Sequence, residues 1–287
     1  MSRLFEKLAA GQMGLGVWIK GGPSWVPTIA RAGFDFIRPD MMFSAIDWRE
    51  LDHINRTAQA VGITTWVRVP ANPWLAGNDS LQVTVDVQRA FSLGIPFVGA
   101  SIASAAQARA CLEVSQDWHR SGAGEYPNSN ETFAAMHKKE ADAAVFVPHI
   151  EAGNSVKEID EIIALDGLRV IMLAMTDLSK AINLPFEYDH PELWRAVDRI
   201  VSKCHARNIV VAASGSVDQA RLVELSRRYL GDLAPGECGY FPEGAYYGPQ
   251  QQKGECGCLV LQFQGASGER IQPERANCEV YEEGNVT

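Results

Sequence analysis

What most limits the folds open to this chain is the alternation of short, nearly continuous apolar runs with longer amphipathic segments. The runs are Gly14-Leu15-Gly16-Val17-Trp18-Ile19, Phe34-Asp35-Phe36-Ile37-Arg38-Pro39-Asp40, Thr64-Thr65-Trp66-Val67-Arg68-Val69-Pro70, Pro96-Phe97-Val98-Gly99-Ala100-Ser101, Ala144-Val145-Phe146-Val147, Val170-Ile171-Met172-Leu173-Ala174 and Ile209-Val210-Val211-Ala212-Ala213-Ser214. A strand that is apolar on both faces is covered on both faces, the condition of a parallel sheet. The segments 24–32, 48–61, 80–93, 105–113, 157–165 and 191–207 between the runs read as helices. Strands and helices taken in turn predict an α/β fold. At 287 residues the pattern suits a closed (β/α)8 barrel of the TIM type better than an open sheet.

The barrel core is expected over 1–231. An atypical Cys- and Gly-rich extension follows over 232–287, with one further apolar run, Cys258-Leu259-Val260-Leu261-Gln262-Phe263. That run reads either as the eighth strand completing the barrel or as half of an added hairpin, and the extension either completes the barrel or covers the site. Segment 115–139, rich in Gly, Ser and Asn, reads as a loop or lid.

The net charge of −9 argues against nucleic acid or an anionic membrane surface as partner. No apolar stretch is long enough to span a bilayer. The start, Met1-Ser2-Arg3-Leu4-Phe5-Glu6-Lys7, reads as a short helix without a secretory apolar region, so a cytoplasmic location is expected. Of six cysteines, Cys111 and Cys204 fall in helical patterns and read as buried thiols. Cys238, Cys256, Cys258 and Cys278 have the wrong spacing for a standard zinc site, and reduced thiols or a redox-dependent bridge fit them better.

Chemistry gathers at the strand ends. Lys20, Asp40, Arg68, Ser101, Glu151, Asp177 and Ser214 each follow or close an apolar run, where barrel enzymes keep their active sites. In Pro148-His149-Ile150-Glu151 the two-residue period puts His149 and Glu151 on one side. Asp177 stands at the end of the next strand, in Met175-Thr176-Asp177-Leu178-Ser179. A carboxylate at the end of a buried strand is costly unless paired or bound to metal, so Glu151 and Asp177 are candidate ligands of a hard divalent cation. Taken singly, Glu151 also reads as a surface acid or helix cap, Asp177 as a cap, and His149 as a neutral rim histidine.

Arg68 offers a planar fork of donors to an anionic substrate, or a partner to a neighbouring acid such as Asp40. Asp40 reads as the partner that orients Arg68 or a water, or as a base. Trp18, Met41, Met42, Phe43 and Trp74 make the expected pocket apolar, and Ala174, Met175 and Thr176 line it beside Asp177. Gly21-Gly22 after Lys20 reads as a simple turn in preference to a backbone N–H anion cradle. No Gly-rich dinucleotide fingerprint follows a strand.

The order Ala-Gly-Phe-Asp-Phe-Ile-x-x-Asp from Ala32, Val67-Arg68-Val69-Pro70, Ile150-Glu151 with Val156 and Ile159-Asp160-Glu161-Ile162, and Thr176-Asp177-Leu178-Ser179 resembles the metal-dependent class II pyruvate aldolases. These are the hydroxy-oxo-heptanedioate aldolases, close to the citrate lyase β-subunit group and macrophomate synthase. The resemblance covers about residues 15–216. It implies a (β/α)8 barrel in a homo-oligomer, trimer or hexamer, and Mg2+ or Mn2+ (Co2+ or Zn2+ as alternatives) held by Glu151 and Asp177. It further implies a 2-oxo acid chelated by the metal and Arg68 stabilising the enolate oxygen.

At one place the chain departs from that family. After the aspartate matching Asp40 the family continues Gly-Glu-His, whose histidine is the catalytic base; here the run is Met41-Met42-Phe43. His149 stands where the family has Gln, and Ala174-Met175-Thr176 alters the usual Gly-Pro-Ala. Three readings follow, in order of preference: His149 has taken over the proton transfer, His149 is a third metal ligand, or the chemistry needs no histidine base. The resulting expectation is a divalent-metal-dependent carbon–carbon lyase acting on a 2-oxo acid. Its rivals are decarboxylation, dehydration or bond formation on the same scaffold, and a non-catalytic barrel that binds a metal or another ligand.

Overall fold

The computed structural model describes residues 14–71, 82–116, 141–215 and 258–262, together with Leu4, Lys7, Leu8, Ala135 and Lys138. Its strands are β1 (Gly14–Ile19), β2 (Phe36–Pro39), β3 (Thr64–Arg68), β4 (Phe97–Ser101), β5 (Val145–Ile150), β6 (Val170–Ala174), β7 (Val210–Gly215) and β8 (Cys258–Gln262). They form one ring in sequence order. From β1 to β7 every pairing is parallel. Here the structure corrects the expectation of eight like units: β8 runs antiparallel to both β7 and β1. A reversed strand closes a ring as well as a parallel one, because it still satisfies the backbone groups of two edges that would otherwise lie open.

The helices are α1 (Val26–Arg31), α2 (Trp48–Val61), α3 (Gln82–Ser92), α4 (Ala105–Gln116), α5 (Gly153–Lys157), α6 (Ile159–Ile163), α7 (Met175–Ala181) and α8 (Pro191–His205). Two of them show how local sequence sets their ends. The Asp47 carboxylate accepts from the Glu50 amide at 2.8 Å to begin α2, and Gly62 ends it at a φ of +74°. Pro191 opens α8, where its missing N–H costs nothing. The buried faces of α2 (Leu51, Ile54, Ala58) and α8 (Leu193, Val197, Ile200, Val201) cover the outside of the sheet. The expected helix over 157–165 is two short pieces, and α7 starts on the residue after β6, with Asp177, a strand-end or helix-cap residue by its sequence, in its first turn.

Inside the ring, strand alternation aims Phe36, Trp66, Phe97, Val147 and Met172 at one another, with Leu4 and Leu8 packed into the same cluster. The rings of Phe36 and Trp66 meet at 5.3 Å and those of Trp66 and Phe97 at 6.1 Å. Two residues further along these strands the interior turns polar: Arg38 follows Phe36, Arg68 follows Trp66, and His149 follows Val147. The apolar layers thus form the floor on which the site stands.

Cys111 and Cys204 are buried free thiols, as expected, and burial pushes each up to about 12. Cys238, Cys256, Cys278, Trp74 and most of the expected lid, 117–134, lie outside the described residues; Cys258 opens β8. No described helix is long and apolar enough to cross a membrane.

Candidate active site

Three side chains meet where β3, β4 and β5 end, and the backbone of a fourth residue, Asp40 after β2, bridges to them. Nη2 of Arg68 donates to Oγ of Ser101 at 2.8 Å and to Oε1 of Glu151 at 2.9 Å. Oγ of Ser101 in turn donates to the same Oε1 through a short hydrogen bond. The other oxygen of Glu151, Oε2, is buried without a hydrogen-bond partner. Burial raises the Glu151 carboxyl above its ordinary value; Arg68 and the Ser101 hydroxyl oppose that shift, and the charge of Asp177 adds to it.

Asp40, the fourth, bridges to Arg68 through the backbone, and the Met41 amide donates to the Arg68 carbonyl at 3.0 Å. Its carboxylate turns back on its own chain: Oδ1 accepts from the amides of Met42 at 2.9 Å and Phe43 at 3.3 Å. Oδ2 is buried without a partner. Asp40 therefore does not engage Arg68 by its side chain; Glu151 does. Phe43, 60% exposed, lays its ring 5.0 Å from the Arg68 guanidinium.

Asp177 lies in the first turn of α7, 27% exposed, with Oδ1 3.2 Å from Nζ of Lys180. Ala174 closes β6, Thr176 exchanges a hydrogen bond with the Tyr188 hydroxyl at 2.9 Å, and Met41 and Met175 sit in the core between sheet and helices.

His149 is fully buried, and its partner is a residue that sequence reasoning passed over. Nη2 of Arg38 lies 3.3 Å from Nε2 and 3.5 Å from Nδ1 of the imidazole. Burial, then the charges of Arg38 and Arg68, hold the imidazole well below its usual range, so it is neutral at physiological pH. Arg38 stacks on Trp18, its register partner on β1, at 4.7 Å and on Trp66 at 5.9 Å. Gly99 makes the space: a Cβ there would run into Nε2 of His149 and lie 2.9 Å from Nε1 of Trp66. The signal in the sequence was an arginine two residues before Asp40 in an apolar run, the same spacing that drew notice to His149 and Glu151.

Among the described residues no three or more His, Cys, Asp or Glu side chains are grouped for a metal ion, and the imidazole of His149 lies against Arg38. The carboxylates of Glu151 and Asp177 still fit a hard cation. Oε2 of Glu151 is an orphaned buried oxygen, and Asp177 is near enough for its charge to act on it. Ions such as Mg2+ commonly take one or two carboxylates and fill the other positions with water and substrate oxygens.

Residues 28–226 match the HpcH/HpaI aldolase/citrate lyase family, and the chain belongs to that family. It is thus a member of a family of aldolases and lyases. Among its curated relatives is a 4-hydroxy-4-methyl-2-oxoglutarate aldolase of Hapsidospora irregularis, 25% identical, the match covering 77% of this chain and 82% of that protein. Another is a 2-dehydro-3,6-dideoxy-6-sulfogluconate aldolase of Pseudomonas putida, 26% identical over 71% of this chain and 79% of the relative. The fold is that of an HpcH/HpaI aldolase from Desulfitobacterium hafniense DCB-2, with a TM-score of 0.66 at 21% identity, covering 81% of this chain and 88% of the other.

Proposed function

We propose that this chain is a divalent-metal-dependent carbon–carbon lyase of the aldolase type, acting on a 4-hydroxy-2-oxo acid from a barrel scaffold of the (β/α)8 kind. The observation that carries this reading is the half-used carboxylate of Glu151: one oxygen is fixed by Arg68 and Ser101, the other is buried and unpartnered, and the charge of Asp177 acts on the group. Glu151 and Asp177 would hold Mg2+ or Mn2+, with Co2+ or Zn2+ as alternatives. Bound there, the ion supplies Lewis acidity toward the 2-oxo group.

The chain's own residues do the rest. Arg68, fixed by two hydrogen bonds, places its charge beside the oxo oxygen, where negative charge grows as the carbon–carbon bond breaks. Phe43 covers one side of that guanidinium from water. Asp40 is held at Oδ1 by two amides, which leaves Oδ2 to accept the proton of the substrate 4-hydroxyl. The bond between carbons 3 and 4 then breaks, its electrons pass to the oxo oxygen, and protonation of carbon 3 releases the smaller 2-oxo acid and a carbonyl compound. Neutral His149 acts from beneath as the partner that positions Arg38. Trp18, Phe43 and Thr176 border the substrate, with Ala174 behind them. The same reading takes the enzyme as a cytoplasmic homo-oligomer, trimer or hexamer, with residues 232–287 completing the barrel through β8.

A second reading, decarboxylation of a 2-oxo acid with a carboxylate at carbon 4, is favoured by Phe43 standing on Arg68 where a histidine base is expected. It needs no hydroxyl proton removed. The test is product analysis with 4-hydroxy-4-methyl-2-oxoglutarate and with 2-oxo diacids, with and without Mg2+ or Mn2+. Metal-dependent pyruvate release is the expected result, lost by at least about 100-fold in Glu151→Gln and Asp177→Asn. Carbon dioxide release alone selects the second reading, and turnover untouched by either substitution overturns both.

A further inference from the structure

Among the described residues, Arg38 and Asp40 are the charged side chains with no exposure at all. His149 is the only hydrogen-bond partner of Arg38 among the described residues. Nε and Nη1 are buried with no acceptor. Burial lowers its pKa to about 9, so the guanidinium is charged at neutral pH. A buried cation without a paired anion costs several kcal/mol, and proteins seldom keep one without use.

Its surroundings share the same lack. Nε1 of Trp18 and Nε1 of Trp66 are buried donors without acceptors, and both indoles flank Arg38. Four donor nitrogens on three adjacent side chains therefore lack an oxygen to bond. The acids nearby do not supply it. Glu151 spends one oxygen on Arg68 and Ser101, and Asp40 spends one on its own backbone. Trp18 is only half-buried, so an incoming group would pass along its indole.

We propose that Arg38, with the indole N–H groups of Trp18 and Trp66, forms a carboxylate-binding subsite inside the barrel that selects substrates carrying a second carboxylate. The assignment rests on the 2-oxo acid reading above for the identity of its ligand, but the subsite is testable apart from it. The fork of an arginine suits a planar carboxylate, and hydrogen bonds to charged groups are among the strong ones.

The test compares 2-oxoglutarate with 2-oxopentanoate, which has the same chain length and lacks the second carboxylate. Affinities are measured by calorimetry in the presence of Mg2+ on the full-length protein. Wild type should prefer 2-oxoglutarate by at least about tenfold. In Arg38→Met the ratio should fall to within about twofold of unity; replacing a buried charge by an apolar side chain of similar length is often tolerated by the fold. Should Arg38→Met not fold, Trp18→Phe, which removes one donor and keeps a ring, should lower the ratio by at least about threefold. No preference in wild type, or an unchanged ratio in the variant that folds, overturns the subsite. Malonate separates the two ideas. If neither 2-oxo acid binds, yet malonate raises the melting temperature of wild type and not of Arg38→Met, the 2-oxo acid reading fails and the subsite stands. If malonate does not stabilise wild type either, the subsite falls with it.

Discussion

Arg68 donates from Nη2 to Oε1 of Glu151 at 2.9 Å, with both side chains buried, while Oε2 of the same carboxylate has no partner. The pair is structural on one side and open on the other. That division lets one glutamate anchor the end of β3 to the end of β5 with its second oxygen unpaired, the oxygen that the proposed cation would take.

The anchoring has a measurable consequence. Removing one partner of a buried ion pair strands the other charge and costs about 3–5 kcal/mol. Arg68→Met should lose stability on that scale in urea unfolding, while Arg68→Met combined with Glu151→Gln should recover most of it. Additive losses in the double variant would show that the two side chains do not act as a pair.

The raised Glu151 carboxyl also sets a pH dependence. A carboxyl whose folded pKa lies above its ordinary value of 4.5 binds its proton more readily in the native chain than in the unfolded one. Its contribution to stability is present below that value and is lost as pH rises through the folded pKa. Wild type should therefore lose stability relative to Glu151→Gln as pH rises above the ordinary glutamate value. Turnover should show an acid limb above the ordinary glutamate range, moving to lower pH as Mg2+ is raised, because the cation favours the ionised form. Ser101→Ala removes a hydrogen bond to that ionised form, so it should move the limb upward and lower kcat/KM by about tenfold. A limb indifferent to Mg2+ concentration would sever Glu151 from the cation.

Phe43 makes a contact that belongs to the site more than to the fold. An exposed ring on a guanidinium contributes about 0.5–1 kcal/mol, so Phe43→Ala should change stability by no more than about 1 kcal/mol. Opening Arg68 to water should nevertheless lower kcat/KM by about tenfold. Phe43→His should add a limb near pH 6.5 to the rate profile, the range of an ordinary imidazole. Unaltered kinetics in both variants would place Phe43 outside the reaction.

Much of this was legible in the chain, for identifiable reasons. Seven strands could be placed because each is apolar on both faces, and the ends of β3, β4 and β5 announced themselves through Arg68, Ser101 and Glu151. The direction of β8 could not be read, because an apolar run such as Cys258-Leu259-Val260-Leu261 looks the same in either sense. That Arg68 pairs with a neighbouring acid is one of its sequence readings, but which acid, Glu151 and not Asp40, depends on register across the barrel and not on sequence distance. The neutrality of His149 was hidden for a related reason: only the fold sets it beside Arg38 and away from water.

The most direct measurement is Mn2+ binding, followed by electron paramagnetic resonance and calorimetry, to wild type, Glu151→Gln and Asp177→Asn. The expected result is one ion per chain in wild type and an affinity lower by at least about 30-fold in each variant. Equal Mn2+ affinity in all three proteins would contradict a cation held by these two carboxylates.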